Sequence, residues 1–288
     1  MKIYLTAVGL FALLLPQSAL GEQLLFSTRV EEPPVIDGQA EDPAWAQAKG
    51  ISTQDRVTRK HILLKSVHTA EKVFFLARFA DDAPEQEHKN LLWDEALEMY
   101  RVGPKREDSF VFKWNMEPYP VDLTLTGDTA YRADIWFWKG ARTDHAGYAD
   151  DKIQFLSELR RKQAKRVLTK KGRLHYLTRM GDKGDAAYET QLQENYNGPE
   201  IPQFRFKKPT GSRADVQAKG AWQEGTWTIE FGRKLNTGHG DDLAFVLPGR
   251  YQFGVSIFEI AGRKANPKID KPLYGSGEVG EALMLVFE

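Results

Sequence analysis

Apolar and polar residues alternate with period two through most of the chain, the signature of strands with one buried face. Over 73–79, Val73, Phe75, Ala77 and Phe79 share a face. Over 110–116, Phe110, Phe112, Trp114 and Met116 face one way and Val111, Lys113 and Asn115 the other. Over 134–138, Trp136 and Trp138 oppose Ile135 and Phe137, and over 227–231, Trp227, Ile229 and Phe231 point together. Runs at 251–257 and 283–287, and a weaker one at 62–67, complete the set. Turn chemistry separates them: Asp37-Gly38, Thr126-Gly127-Asp128, Thr237-Gly238, Pro248-Gly249 and Gly275-Ser276-Gly277. Many punctuated strands with few helices predict a mostly β chain, a sandwich or a barrel.

Helical spacing is confined to three places. A short helix is expected over 93–102, a basic one over 153–168 and a turn or two over 186–195. The stretch 152–220 is polar and poor in alternation, and is read as a partly helical surface insertion in a single domain spanning 22–288. Residues 1–21 differ again. Lys2, an apolar run from Ile3 to Leu15, Pro16 and the small residues Ser18, Ala19 and Gly21 follow the layout of a cleaved secretory signal, which places the mature chain in the periplasm. The run is short for a membrane span.

Composition narrows the function. Forty basic residues balance forty acidic ones, so the chain lacks the basic excess of a general nucleic-acid binder. There is no cysteine, which excludes disulfides, thiolate metal sites, cysteine nucleophiles and covalent haem attachment through cysteines. No phosphate-binding loop, serine-hydrolase elbow, zinc-protease or dinucleotide fingerprint is present, so no enzyme is expected. The acidic doublets Asp81-Asp82, Asp150-Asp151 and Asp241-Asp242 are read as turn formers, since neither EF-hand spacing nor a repeat accompanies them.

Several strings carry a more specific signal: SVHTAEKVFFLARFADD (66–82), LLWDEALEMYRVGPKREDSFVFKWNM (91–116), YRADIWFWKGARTDHAGYADD (131–151), GSRADVQAKGAWQEGTWTIEFGRKLNTGHGDDLAF (211–245) and GRYQFGVSIFEIAG (249–262). In this order they resemble the haem-binding domain family of ethylbenzene dehydrogenase, whose fold is a DOMON-like, immunoglobulin-like antiparallel β-sandwich. PPVIDGQAEDPAWAQA (33–48) is similar to the first strand of carbohydrate-binding sandwiches. The resemblance implies haem b held without a covalent tether between the sheets, and electron transfer with a redox partner protein, a membrane cytochrome or a periplasmic oxidoreductase. In family members the iron is held by a methionine and by a lysine or histidine.

Here Thr126 stands at the family's methionine position, and Phe137 stands where the family commonly has a histidine between the two tryptophans. Met116 is then the nearest thioether, either an iron ligand or core packing. Lys264 lies in the region of the family's distal ligand, with Lys268 and Lys271 near it, and would ligate only if burial made it neutral. His68, at a strand end, is either a third ligand or a hydrogen-bonded strand-end histidine. Trp136, Trp138, Trp114 and Phe112 either wall a haem pocket or form the sandwich core. Arg132, Lys139 and Arg142 either pair with haem propionates or stay solvated. His145 reads as a polar-loop residue, and His61, His88, His175 and His239 as exposed. Two other functions stay open: a haem-free carbohydrate- or small-ligand-binding module using the tryptophans, and a cofactor-less subunit docking through the basic 152–172 segment.

Overall fold

The computed structural model describes residues 23–257 and 278–287. Eighteen strands are described: β1 (Gln23–Arg29), β2 (Ile51–Gln54), β3 (His61–His68), β4 (Lys72–Ala80), β5 (Leu91–Asp94), β6 (Met99–Val102), β7 (Ser109–Asn115), β8 (Tyr131–Lys139), β9 (Asp150–Ser157), β10 (Lys165–Leu168), β11 (Leu174–Gly181), β12 (Tyr188–Thr190), β13 (Glu200–Ile201), β14 (Phe204–Phe206), β15 (Gln217–Gln223), β16 (Thr226–Lys234), β17 (Arg250–Ile257) and β18 (Leu283–Phe287). One short α-helix, α1 (Pro43–Gln47), and two 3-10 turns, Asp144–Ala146 and Gly211–Ala214, join them.

Thirteen strands follow one hydrogen-bonded order, β10-β11-β9-β8-β7-β17-β18-β1-β3-β4-β16-β15, with β2 added on β3, while β13-β5-β6 and β12-β14 form two small separate sheets. This ribbon folds over itself. One core cluster unites Phe110, Phe112, Trp114, Trp136, Trp138 and Phe253 with Phe75, Phe79, Trp227 and Phe231 from the other half of the order. The result is a β-sandwich, with β18 and β1 as the crossing. Pairing is antiparallel except at β1, which lies parallel to both β18 and β3. The first tryptophan strand, β7, stacks Trp114 on Phe253 of β17 at 4.7 Å, and Phe75 of β4 reaches across to Phe112 at 5.1 Å. Rings at such spacing fill the space between layers at interior density.

Close packing is legible at Gly220 on β15. A Cβ there would lie 2.5 Å from Trp138 Cζ2. Trp138 cannot easily retreat, since its Nε1 donates to Asp144 Oδ1 at 2.8 Å and its ring meets Trp227 at 4.9 Å. Gly220→Ala is expected to lower stability by about 1–3 kcal/mol through overpacking, read as a fall in the urea midpoint. An unchanged midpoint would show that Trp138 has room to move.

Two smaller clusters cover the outer faces. Val111, Ile135, Phe137, Leu156 and Leu177 of β7, β8, β9 and β11 pack beneath Val121, Leu123 and Leu125 of the β7–β8 connection. On the opposite side α1 lays Trp45 over Val67, Phe74 and Leu76. Glu230 of β16 anchors that helix, accepting from Trp45 Nε1 at 2.6 Å and from the Gly38 N–H at 2.7 Å. The Asp37-Gly38 turn needs glycine, with φ at 85° and a Cβ position 2.9 Å from Ala221 N.

The strand expectations at 62–67, 73–79, 110–116, 134–138, 227–231, 251–257 and 283–287 all coincide with strands, and Met116 falls one residue beyond β7. The helical expectations do not. Residues 93–102 form the β5–β6 hairpin, reversed at Glu98 with φ at 46° and held by a Trp93–Tyr100 contact of 5.0 Å. The 153–168 segment is β9 and β10, and Tyr188–Thr190 is a strand. The region 152–220 is thus not a partly helical excursion: β9 pairs with β8 along seven positions and with β11 along six, and the two strands widen the first layer. Pairing on both edges outweighs a helical spacing of side chains. The 33–48 stretch is loop and α1, and the first strand lies before it at β1. Residues 1–21, where a signal is expected, lie outside the described residues. Among described residues no helix is long and apolar enough to cross a membrane.

Candidate functional site

Among the described residues, His68 is the basic side chain of the expected set that meets a ring of the core cluster, at Phe287. Trp114, Trp136, Trp138 and Phe112 are each 0% exposed and belong to the packed cluster. Met116 is half-buried just past β7, its backbone N–H donating to Arg132 O. His68 is buried, but on β3, with Nδ1 3.2 Å from Ser27 Oγ and its ring edge-on to Phe287 at 5.1 Å. The strands β17, β18 and β1 separate it from β7 and Met116. Lys264, Lys268 and Lys271 lie outside the described residues. Arg132 is exposed and pairs with Glu117 at 3.0 Å. Among the described residues, Met116 and His68 are therefore not brought together.

Lys139 and Arg142 are brought together, on the outer face of the first layer. They line a cavity of about 280 Å³ with Lys89, Arg106, Lys152 and Arg179. Glu107 is the one carboxylate of its lining, and Phe137, Tyr188, Ser109 and His88 complete the wall. The local fold explains the assembly. Strand alternation places Phe137 and Lys139 on the face away from the core, and β9 brings Asp150 opposite Phe137. Asp150 is buried and pairs with Lys139, with Lys152 at 2.8 Å and with Arg213. The Tyr188 hydroxyl oxygen, from β12, accepts from Lys139 Nζ at 2.9 Å. Glu107 accepts from Arg142 Nε at 2.5 Å and from the Ala141 N–H at 2.9 Å.

Positive charge exceeds negative charge here, and part of it is unmatched. Burial lowers Lys139 and Lys152 to about 8 each, with Asp150 opposing the change. Arg179 is lowered to about 10, mainly by burial, and its Nη1 is buried with no hydrogen-bond partner among the described residues. Its guanidinium lies 5.5 Å from the Phe137 ring, and Lys139 Nζ lies 4.8 Å from it. His88 is lowered to about 2, first by burial and then by Arg142, Lys89, Arg106 and Lys139. It is a neutral imidazole, so its 3.3 Å approach to Glu107 is not an ion pair. A set of half-buried cations around the buried Lys139, with an orphaned donor and an aromatic floor, is suited to a flat or compact acidic ligand.

His88 and Arg179 escaped the sequence reading. His88 sits in a charged run, EQEHKN, and looked exposed. His175 is also buried, 1% exposed on β11, while His61, His145 and His239 are exposed. Arg179 would have been found by recognising β11 as a strand, since alternation then puts Leu177 and Arg179 on one face.

Among curated proteins none matches this chain. Two solved structures of similar outline are a family 9 carbohydrate-binding module from Caldicellulosiruptor kristjanssonii in complex with glucose and the same module in complex with cellotriose. The first is 9% identical, covers 92% of this chain and 96% of its own, and has a TM-score of 0.41. The second is 10% identical, covers 92% and 94%, and has a TM-score of 0.40. The sequence profile of the family described as ethylbenzene dehydrogenase matches residues 42–266.

Proposed function

The chain belongs to the ethylbenzene dehydrogenase family, and from that premise we propose that it is an exported electron carrier that holds haem b non-covalently, with the cationic pocket receiving the propionates. The observation that carries this reading is the pocket's surplus of positive charge, largely withdrawn from solvent, with Arg179 Nη1 buried and unmatched. The residues present fit the acidic edge of such a cofactor. Arg142 and Arg179 offer forked donors, Lys139 and Lys152 add charge, and Phe137 and Tyr188 offer aromatic surface. His88 supplies a neutral imidazole at the same wall, the state in which histidine binds iron. The tryptophan core, by contrast, is already filled. Bound haem would supply one-electron chemistry, its potential set by ligand and burial.

The protein's own part is binding and electrostatics. Lys139, Lys152 and Arg213 are held in place by Asp150, so the pocket is cationic before any ligand arrives. Titration with ferric haem at neutral pH should give a saturable Soret band. Arg142→Ala and Arg179→Ala should each weaken binding about tenfold or more, the loss of one charge-assisted hydrogen bond. The dimethyl ester of haem should bind worse than haem itself. A protein that gives no Soret change, or that binds the ester and the free acid equally, overturns the reading.

The cavity volume supports a second reading. About 280 Å³ lies just under the roughly 300–1,000 Å³ of ordinary small-molecule pockets. A haem-free module for a small dicarboxylate or acidic sugar would use the same cations. It is distinguished by saturable binding of such an acid with no response to haem.

A further inference from the structure

The edge of the first layer concentrates a charge that the chain as a whole lacks. Residues 158–174 hold eight basic side chains and one acidic one, Glu158, although basic and acidic residues balance over the full sequence. The segment covers β10, the connections on either side of it and the start of β11. β10 is an edge strand, paired with β11 alone. All eight basic residues are exposed. Lys170 is held by Asp122 at 2.5 Å, whereas Arg160, Lys162, Arg166 and Arg173 have no ion pair among the described residues.

Charge on an edge strand is an ordinary guard against unwanted strand pairing. This edge also carries leucines, which such a guard would exclude. Leu159 is 82% exposed, Leu168 63% and Leu174 45%. Leu168 and Leu174 are direct cross-strand partners, so their side chains share a face. Register puts Arg166, Tyr176 and Met180 on the same face, and Phe155 of β9 as well. The other face of these strands is spent, with Leu156, Val167 and Leu177 buried in the outer cluster. The second layer does not cover the leucine face. The cluster between the layers takes no residue from β10 or β11 among the described residues, and Leu168, Leu174 and Met180 stay exposed. Arg161 folds back over Phe155 with its guanidinium 3.9 Å from the ring, which holds a cation on the same apolar surface.

We propose that this edge docks the protein on the surface of a membrane rich in anionic phospholipids. Three observations select that occupant. The charge is complementary to lipid phosphates, and lysine and arginine near such a surface each strengthen attachment. The exposed leucines stand among the cations, so they can enter the headgroup boundary while their charged neighbours stay at the phosphates. Lysines are interleaved with the leucines, whereas the core of a protein interface is depleted in lysine. A fluid headgroup layer accommodates that mixture without a shaped partner. The cationic cavity takes Arg179 from the other face of β11, so docking uses none of the pocket's side chains and is independent of what the pocket binds.

The test is co-sedimentation of the chain, recovered after export, with vesicles of phosphatidylglycerol and phosphatidylcholine, against vesicles of phosphatidylcholine alone. The anionic vesicles should retain the protein at low ionic strength, high salt should release it, and the zwitterionic vesicles should not hold it. Arg160→Gln and Arg166→Gln should each lower the partition coefficient about fivefold. Leu168→Ser, which leaves the charge unchanged, should lower it about threefold or more. Lys234→Gln, at an exposed lysine of β16, should leave it as it was. All four positions are exposed, so the urea midpoint should not move. The absence of cysteine permits a single label. Leu159→Cys carrying a nitrobenzoxadiazole dye should brighten and shift to the blue on anionic vesicles as the site leaves water. No retention on anionic vesicles, equal retention on zwitterionic ones, an equal loss in Lys234→Gln, or retention without a dye response overturns the proposal. Binding to a soluble acidic polypeptide with none to vesicles also overturns it, and assigns the edge to an acidic protein.

Discussion

Arg233→Met is expected to cost about 3–5 kcal/mol of stability, the loss typical when one partner of a buried ion pair is removed. Arg233 is 1% exposed on β16, and its ion pair with Asp134 is wholly buried. It spans the sandwich: the strand belongs to the second layer, and its guanidinium reaches Asp134 on β8 of the first. Nη2 also donates to Leu243 O, and the group sits 4.7 Å from the Trp136 ring and 5.1 Å from Phe245. Methionine keeps much of the side-chain length and apolar contact, so the change isolates the charge. Without it Asp134 faces the Asp151, Asp182 and Asp242 carboxylates with no ion pair of its own among the described residues. The measurement is urea unfolding, with the midpoint falling and the m-value unchanged. A loss below about 1 kcal/mol would show that these carboxylates carry protons and that the guanidinium holds the layers through ring contact alone.

The core of the fold was readable because its signal is local. Alternation over 73–79, 110–116, 134–138 and 227–231 names the inward residues of β4, β7, β8 and β16, and the structure puts those residues in one cluster. The ribbon's outer edge was not readable in the same way. β9 carries Asp150, Asp151 and Gln154 at buried positions, so its polar residues broke the pattern that marks a strand. Those polar residues are buried because partners far along the chain meet them: Lys139 and Arg213 at Asp150, and Tyr131 at Gln154. The parallel placement of β1 is also a long-range matter, since it depends on β18 at the other end of the sequence.

The site divides along the same line. Lys139 and Arg142 flank the tryptophan strand and were legible from it as candidate charged groups, and the cavity brings them together. His88, Arg106 and Arg179 come from the β4–β7 connections and from β11, and only tertiary pairing gathers them. The acidic doublets at 150–151 and 241–242 looked like turn formers. Asp150 and Asp151 instead sit within a strand and serve opposite faces, one towards the cations and one towards the other carboxylates. A doublet in a strand necessarily serves two faces, which is a consequence of period two that the turn reading concealed.

Phe137→His is expected to tighten ferric haem binding by about tenfold or more, equivalent to at least about 1.4 kcal/mol, and to shift the Soret spectrum to a histidine-ligated form. Phe137 lies between the two tryptophans, where the resemblance implies a histidine. It is 6% exposed, opposite Asp150 and Val111 on its flanking strands, and it forms part of the cationic cavity. An imidazole there would feel the same burial and the same cations that hold His88 neutral, so it would present a free ring nitrogen and not an imidazolium. The substitution has its own cost, about 1–3 kcal/mol of stability in the ligand-free protein, because a buried ring nitrogen replaces apolar surface. Haem should restore part of that loss by binding only the folded state. Phe137→Leu is the control: it vacates similar space without a Lewis base, and should bind haem no better than the parent chain. If the histidine and leucine variants give the same spectrum and affinity, the iron does not lie at this wall, and the pocket's cations serve an acidic ligand of another kind.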